Sequence, residues 1–558
     1  MGDDVMHISS IRAGSFLLVV LGCLVSFGAA RNSGLQKSSQ ISGVPDTASL
    51  NANRVLVMLN NRGSLDSRLL PAGGFWLYQQ QEFPFNNPIL YDAGIGLIGK
   101  IGGTVRLGLT QWGSSYAPGP IIDGKPALWV RPQDAARFRP YKISRGDSAS
   151  SNPDYAEWPR DLGAPLDDQG MPKLYADQTI WMVYNDADSS ARPMEWDRAA
   201  PFPHAALEIH QLAYSRRSTL CDSAAMLANV VFFEWTIINK EPAGIDSAFA
   251  IIWTDIDFLG ADANIPAIDT LRQLPYCWDT DPSVGTAPPG RMAVGYMPLR
   301  GPILPSSNDT AIFRGTTRPG YRNLHMTSFW PILDDAGPDS GKFFFPARTT
   351  EHLWNVARGF DKDGPALVDP TTGQATKFPY GGDPVTGTGW VWQKNEGRGG
   401  GAGFYAFFGP FMMAPNDTQW LQAALVPALG KDHFDAIQVL RYQAEQLLTM
   451  PYDTLLSGHF NHIFCEGPFV PSAIQLFQNY PNPFNAGTKI AYDIDQPTHV
   501  RVTVYDLLGR EIAVLIDGQR TPGRYSVDFT GRGLASGVYF YRLQTTTTSM
   551  TRKLVLLR

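Results

Sequence analysis

Val500-Arg501-Val502-Thr503-Val504 puts an apolar side chain at every second position. That is the period of a strand with one face in a core and the other in water. Outward from it, residues 489–494, 511–516, 524–529, 538–543 and 553–557 repeat the texture. Leu508-Gly509-Arg510, Thr521-Pro522-Gly523 and Ala535-Ser536-Gly537 are turn clusters between them. Short strands separated by turns at this density predict a small, Ig-like antiparallel β-sandwich over residues 472–558.

The same segment carries motifs. Asn479-Tyr480-Pro481-Asn482-Pro483-Phe484-Asn485 comes first, then Val504-Tyr505-Asp506-Leu507-Leu508-Gly509-Arg510-Glu511. Ala535-Ser536-Gly537-Val538-Tyr539-Phe540-Tyr541-Arg542-Leu543 and a closing Lys553-Leu554-Val555-Leu556-Leu557 complete the order. Together they resemble the type A sorting domain of the type IX secretion (Por) system. The resemblance implies Sec export to the periplasm and passage through the outer-membrane translocon of a Bacteroidetes-like bacterium. It implies two partners for residues 472–558, the translocon and its sorting protease. The cargo then ends anchored at the cell surface or released.

Upstream, residues 51–466 read as a β-rich cargo region. Strand-like runs recur at 54–59, 98–107, 179–184, 206–214, 228–239, 247–253 and 419–426, separated by Pro/Gly/Asp loops. One late helix is expected, with Asp432 as cap, Asp435 in the first turn, and Phe434, Ile437, Leu440, Ala444 and Leu447 on one face. The fold class is thus mainly β, a sandwich-rich cargo followed by the small sandwich. An internal boundary, if the cargo has one, falls near 152–170, the most loop-like stretch. The cargo also resembles a recurrent, uncharacterised group of type IX-secreted proteins. Val183-Tyr184-Asn185-Asp186-Ala187-Asp188, Ile237-Ile238-Asn239-Lys240 and Gly409-Pro410-Phe411-Met412-Met413-Ala414-Pro415-Asn416-Asp417-Thr418-Gln419 are among the stretches that carry this likeness. It implies a shared fold and carries no activity. Relatives have a denser acidic loop after the Trp253 strand; here Ile256 and Phe258 interrupt it.

Residues 1–30 read as a signal peptide: Arg12, an apolar run over 16–27, then Gly28-Ala29-Ala30 for cleavage. Asp3 and Asp4 suit a leader poorly, which makes Met6 an alternative start to Met1. Residues 31–50 are a polar linker. No other stretch reaches the roughly 18 uninterrupted apolar residues of a membrane span, so none is expected in the mature chain. Of its cysteines, Cys221, Cys277 and Cys465, at most two can pair internally, and none has CxxC spacing. Aromatics reach 12% and charged residues only 18%, with 54 Gly and 43 Pro, which excludes a disordered chain and a helical bundle. A net charge of −6 without a basic block argues against nucleic acid.

Candidate chemistry is sparse. Gly94-Ile95-Gly96-Leu97-Ile98-Gly99-Lys100 matches two nucleotide-loop patterns, but Ile101 stands where a magnesium-binding Ser or Thr belongs and strand-like residues follow. A Gly-rich hairpin is the better reading. Asp186 and Asp188 follow one strand, and Asp255, Asp257 and Asp262 follow another, with Asp279 and Asp281 further on. All-oxygen ligands on loops suit a structural calcium ion. Asp is also an ordinary turn former, and that reading is the stronger. His204, Glu208 and His210 share a face on a strand and offer a zinc set, against a plain solvated face. Glu208, Glu234, Asp255 and Asp257 are the carboxylates available to a glycosidase, which needs a facing pair. Trp390, Trp392 and Trp420 with Phe404, Tyr405, Phe407 and Phe408 form either a sugar platform or, more simply, core. No catalytic motif stands out. The leading expectation is an exported surface or secreted protein of structural, adhesive or ligand-binding role. A secreted hydrolase of polysaccharide or protein and a carbohydrate-binding protein with a glycan ligand are the alternatives.

Overall fold

The computed structural model describes residues 46–53, 55–65, 90–112, 114–193, 202–216, 226–256, 264–279, 291–333, 347–392, 402–449, 474–479, 482–485, 487–520 and 523–557. The signal peptide, Cys221 and Cys465 lie outside them; Cys277 is buried. Two antiparallel sheets make the cargo. The smaller has five strands in the order Ser328–Leu333, Ala402–Met413, Ile245–Ile256, Leu90–Ile101, Thr104–Leu109. The larger runs Asn264–Asp269, Leu274–Asp279, Arg291–Arg300, Thr418–Gly430, Val231–Asn239, Leu207–Ser215, Gln178–Asn185, Ala117–Pro118, with Tyr141–Ser144 also on the Gln178–Asn185 strand.

Alternate residues of both sheets meet in one core. Ile95, Leu97, Ala250, Ile252, Phe404 and Phe408 come from the smaller sheet, and Ile180, Met182, Phe233, Trp235, Leu421 and Leu425 from the larger. The outer faces are covered as well. Ile251, Trp253, Tyr405 and Phe407 pack under the Thr350–Ala357 helix through Leu353 and Val356. Tyr214, Phe232, Trp420, Ala424 and Val426 pack with Ile437, Leu440 and Ala444 of the His433–Thr449 helix. Burial on both faces explains why Phe404-Tyr405-Ala406-Phe407-Phe408 is apolar without alternation.

Several expectations need correction. The late helix forms, with Asp432 Oδ1 accepting from Asp435 N at 2.8 Å, but Phe434 is 37% exposed rather than on its buried face. The Thr350–Ala357 helix was not anticipated, although Thr349 caps it by accepting from His352 N. The linker ends before residue 50, because Thr47–Leu50 is a strand paired with Val57–Asn60. The 152–170 stretch folds back instead of dividing the cargo: Trp158 and Ala164 pack on Tyr141, Trp181 and Val183. The glycine run does form the expected hairpin: it is the Leu90–Ile101 strand, turned into Thr104–Leu109 by Gly102 and Gly103 at φ 57° and 83°. Two successive left-handed residues make the tight turn that matches strand twist.

The carboxyl-terminal sandwich pairs Gln475–Leu476, Gly487–Ile494 and Gly523–Thr530 in one sheet. Glu511–Arg520, Thr498–Tyr505, Gly537–Gln544 and Ser549–Leu556 make the other. Val500, Val502 and Val504 are fully buried in a core built entirely from this segment.

Candidate functional site

Polar residues at strand ends organise the cargo before any site is reached. Asn185 Nδ2 donates to Gly119 O at 2.7 Å, holding the Ala117–Pro118 strand on its edge. Asp186 is completely buried; its Oδ2 accepts from Ala205 N at 3.0 Å and its Oδ1 from Leu207 N. Burial pushes its carboxyl up to about 7 against the pull of these two donors. Asp188 Oδ1 accepts from Ser190 N and Oγ at 2.9 and 2.7 Å. Asp255 lies on the other sheet, opposite Asp92, and accepts from Trp112 Nε1. Asp279 pairs with Arg291 at 3.1 Å. Asp257, Asp262 and Asp281 lie outside the described residues, and among the described residues no three His, Cys, Asp or Glu side chains form a metal-holding group.

His204, Glu208 and His210, weighed as a zinc set against a plain strand face, do not share one strand face. The strand starts at Leu207, after Ala206 at φ 46°, and His204 packs on the Phe202 ring, 4.9 Å between centroids. Glu208 Oε1 meets His210 Nε2 at 3.0 Å and Lys240 Nζ at 3.6 Å. Burial alone would raise the Glu208 pKa, but His210, Ile121 N–H and Lys240 hold it below the ordinary carboxylate value. Trp420, Phe404, Tyr405, Phe407 and Phe408 are core residues, each 1% exposed or less, and Trp390 and Trp392 pack partly buried against that core.

A cleft of about 690 Å³ opens on the outer face of the larger sheet. Its floor is Trp181, His210, Leu212, Glu234 and Thr236, neighbours across three strands: Leu212 pairs with Trp181 and Glu234, and His210 with Thr236. One wall is Gly163, Pro165, Leu166, Lys173 and Tyr175; the other is the tip of the hairpin formed by Ile303–Phe313 and Thr316–Asn323. Gly163, at φ 93°, lets this wall close on the floor: a Cβ there would lie 2.7 Å from the His210 ring. Glu234 is anchored in the floor, its Oε1 accepting from Tyr214 OH at 2.9 Å and Gln422 Nε2 at 3.3 Å, its Oε2 from Trp420 Nε1 at 3.2 Å. Burial pushes the Tyr175 hydroxyl pKa up. Of the carboxylates noted in the sequence, only Glu234 lines this cleft. Arg314, Arg318 and Lys173 carry no motif and were not anticipated.

Residues 478–557 match the family model of the secretion system C-terminal sorting domain. The carboxyl-terminal sandwich is a type IX secretion sorting domain. The sorting domain implies interaction with the type IX machinery and export to the cell surface or extracellular medium. Its first motif straps the last strand. Asn482 Oδ1 accepts from Val555 N at 2.8 Å, Phe484 N donates to Val555 O at 2.8 Å, and Leu557 N donates to Phe484 O at 2.9 Å. No described helix is long and apolar enough to cross a membrane.

No curated protein matches the chain. Among solved structures, a polysaccharide lyase aligns over 93% of this chain and 47% of its own at 6% identity and TM-score 0.22. The dimeric latent form of PorU from Porphyromonas gingivalis aligns over 59% and 31% at 10% identity and TM-score 0.14. The chain thus spans less than half the length of either structure.

Proposed function

We propose that this exported protein is a binding protein, and that its ligand sits in the cleft on the outer face of the larger sheet. Of the structural, adhesive and ligand-binding roles, the cleft supports the last. One observation carries the reading: two cover segments leave part of a sheet face open, and the gap of about 690 Å³ mixes aromatic, apolar and polar groups. Binding sites typically have roughly this size and composition. A glycan is the ligand class we propose, because hydroxyl-rich rings suit a floor of Thr236 and His210 beside Leu212 and Trp181. A glycosidase would need a second carboxylate facing Glu234, and the cleft lining brings only one.

Screening the mature protein against a glycan array tests this, with Thr236→Trp as the filled-cleft control. Thr236 is 8% exposed, and its hydroxyl makes no hydrogen bond among the described residues. The expected result is glycan binding by the wild type and a loss of about tenfold or more in the variant at an unchanged melting temperature, equivalent to about 1.4 kcal/mol. Absence of any glycan ligand, or equal binding by the variant, overturns the reading.

A further inference from the structure

Three cations line this cleft, and none has an acidic partner among the described residues. Lys173 Nζ stands 5.1 Å from the Tyr175 ring centroid, and the Arg318 guanidinium 5.4 Å from that of Phe313. Arg314, at the hairpin tip, acts electrostatically on Tyr175. Several other cargo arginines are neutralised by carboxylates: Arg137 by Asp161, Arg145 by Asp177, and Arg441 by Asp269 and Asp383. Arg314 also occupies a costly place. It sits at φ 50° before Gly315 at φ 75°, in a turn where Asn or Gly is accommodated with less strain. An arginine there is explained by its side chain, not by the turn.

The floor differs from the walls. It offers the Thr236 hydroxyl and the His210 imidazole, whose Nε2 is tied to Glu208, beside the Glu234 carboxylate, whose oxygens already accept from Tyr214, Gln422 and Trp420. Cations on the walls and hydroxyl partners on the floor call for a ligand with both carboxylates and alcohols. Building on the binding function proposed above, we infer that the ligand is a carboxylate-bearing glycan, its acid groups against Lys173, Arg314 and Arg318 and its hydroxyls against Thr236 and His210. Guanidinium groups bind carboxylates through paired, charge-assisted hydrogen bonds. An acidic peptide would satisfy the walls but bring few hydroxyls to the floor. A free phosphate would occupy little of the volume.

The test uses the full mature protein and a panel of polygalacturonate, alginate and hyaluronan, each beside its carboxyl-reduced form, with polyglutamate as the peptide control. Arg314→Gln/Arg318→Gln alters two exposed side chains on one wall; Lys173→Gln alters the other wall independently. The expected result is binding to at least one acidic polymer, about tenfold or more tighter than to its reduced form. That binding weakens with salt, falls by a similar factor in the double variant, and falls also in Lys173→Gln, with melting temperatures unchanged. Equal affinity for the reduced polymers, or unaltered binding by both variants, overturns the acidic-glycan assignment while leaving glycan binding standing. Polyglutamate bound as tightly as the acidic polymers also overturns it, since the cleft would then read charge alone. No binding to any polysaccharide, acidic or neutral, removes both proposals.

Discussion

At Asn239 one side chain ties the two sheets together. Its Nδ2 lies within hydrogen-bond reach of Ala243 O, Met413 O and Ala414 O, at 3.0–3.2 Å, and its Oδ1 accepts from Glu241 N. Two of the chain crossings between the sheets, from Asn239 to Ile245 and from Met413 to Thr418, close on this residue. Asn239→Ala should cost about 2–3 kcal/mol, because buried carbonyls lose their donor; thermal unfolding would show it. Asp186 makes a pH-dependent contribution. Its pKa is raised from 3.8 to about 7 in the fold, so the folded state holds a proton that the unfolded chain releases. Its contribution to stability is therefore full below the unfolded value and lost as pH rises through about 7. Asp186→Asn removes this titration and one acceptor for a backbone N–H. The variant should melt below the wild type at pH 5, and the gap should narrow by pH 8; a gap independent of pH would contradict the assigned shift.

At the scale of elements, what covers a strand decides its sequence. The His433–Thr449 helix covers one part of the outer face of the larger sheet through Ile437, Leu440, Ala444 and Leu447, all nearly inaccessible. Leu440→Ala should destabilise the cargo by about 2–5 kcal/mol, the range for a buried leucine cavity, read from the unfolding midpoint. The acidic loops supply a second measurement. If Asp186, Asp188, Asp255, Asp257 and Asp262 seat calcium, melting temperature rises by a few degrees in calcium over chelator, through mass action on the folded state. Identical curves leave Asp186 and Asp188 as strand-end clasps and Asp255 as the acceptor for Trp112. The Thr350–Ala357 helix escaped notice because eight residues span only about two turns, too few for a periodic signal to stand out.

On the scale of the whole molecule, the sorting domain has a core that shares no residue with those of the cargo. Deleting residues 472–558 should therefore leave a folded cargo retained in the periplasm, detected by fractionation and protease resistance. Normal levels of the truncated form in the medium would sever the link between this sandwich and export.

The amino-acid sequence by itself determined the sorting domain, because its strands alternate and its motifs are local: Val500, Val502 and Val504 announce their burial by spacing alone. It also determined that the cargo is stranded, since the runs around Tyr184, Ile237 and Trp253 are apolar, β-branched or aromatic, and bounded by turn residues. Only the tertiary structure decided which strands pair and which faces are covered. Periodicity reports that a side chain is buried, not what buries it, and antiparallel pairing between distant strands leaves no local signature. The cleft follows the same logic. Lys173, Glu234 and Arg314 stand far apart in the chain, in a loop, a central strand and a hairpin tip, and each reads as ordinary until the sheet brings them to one opening.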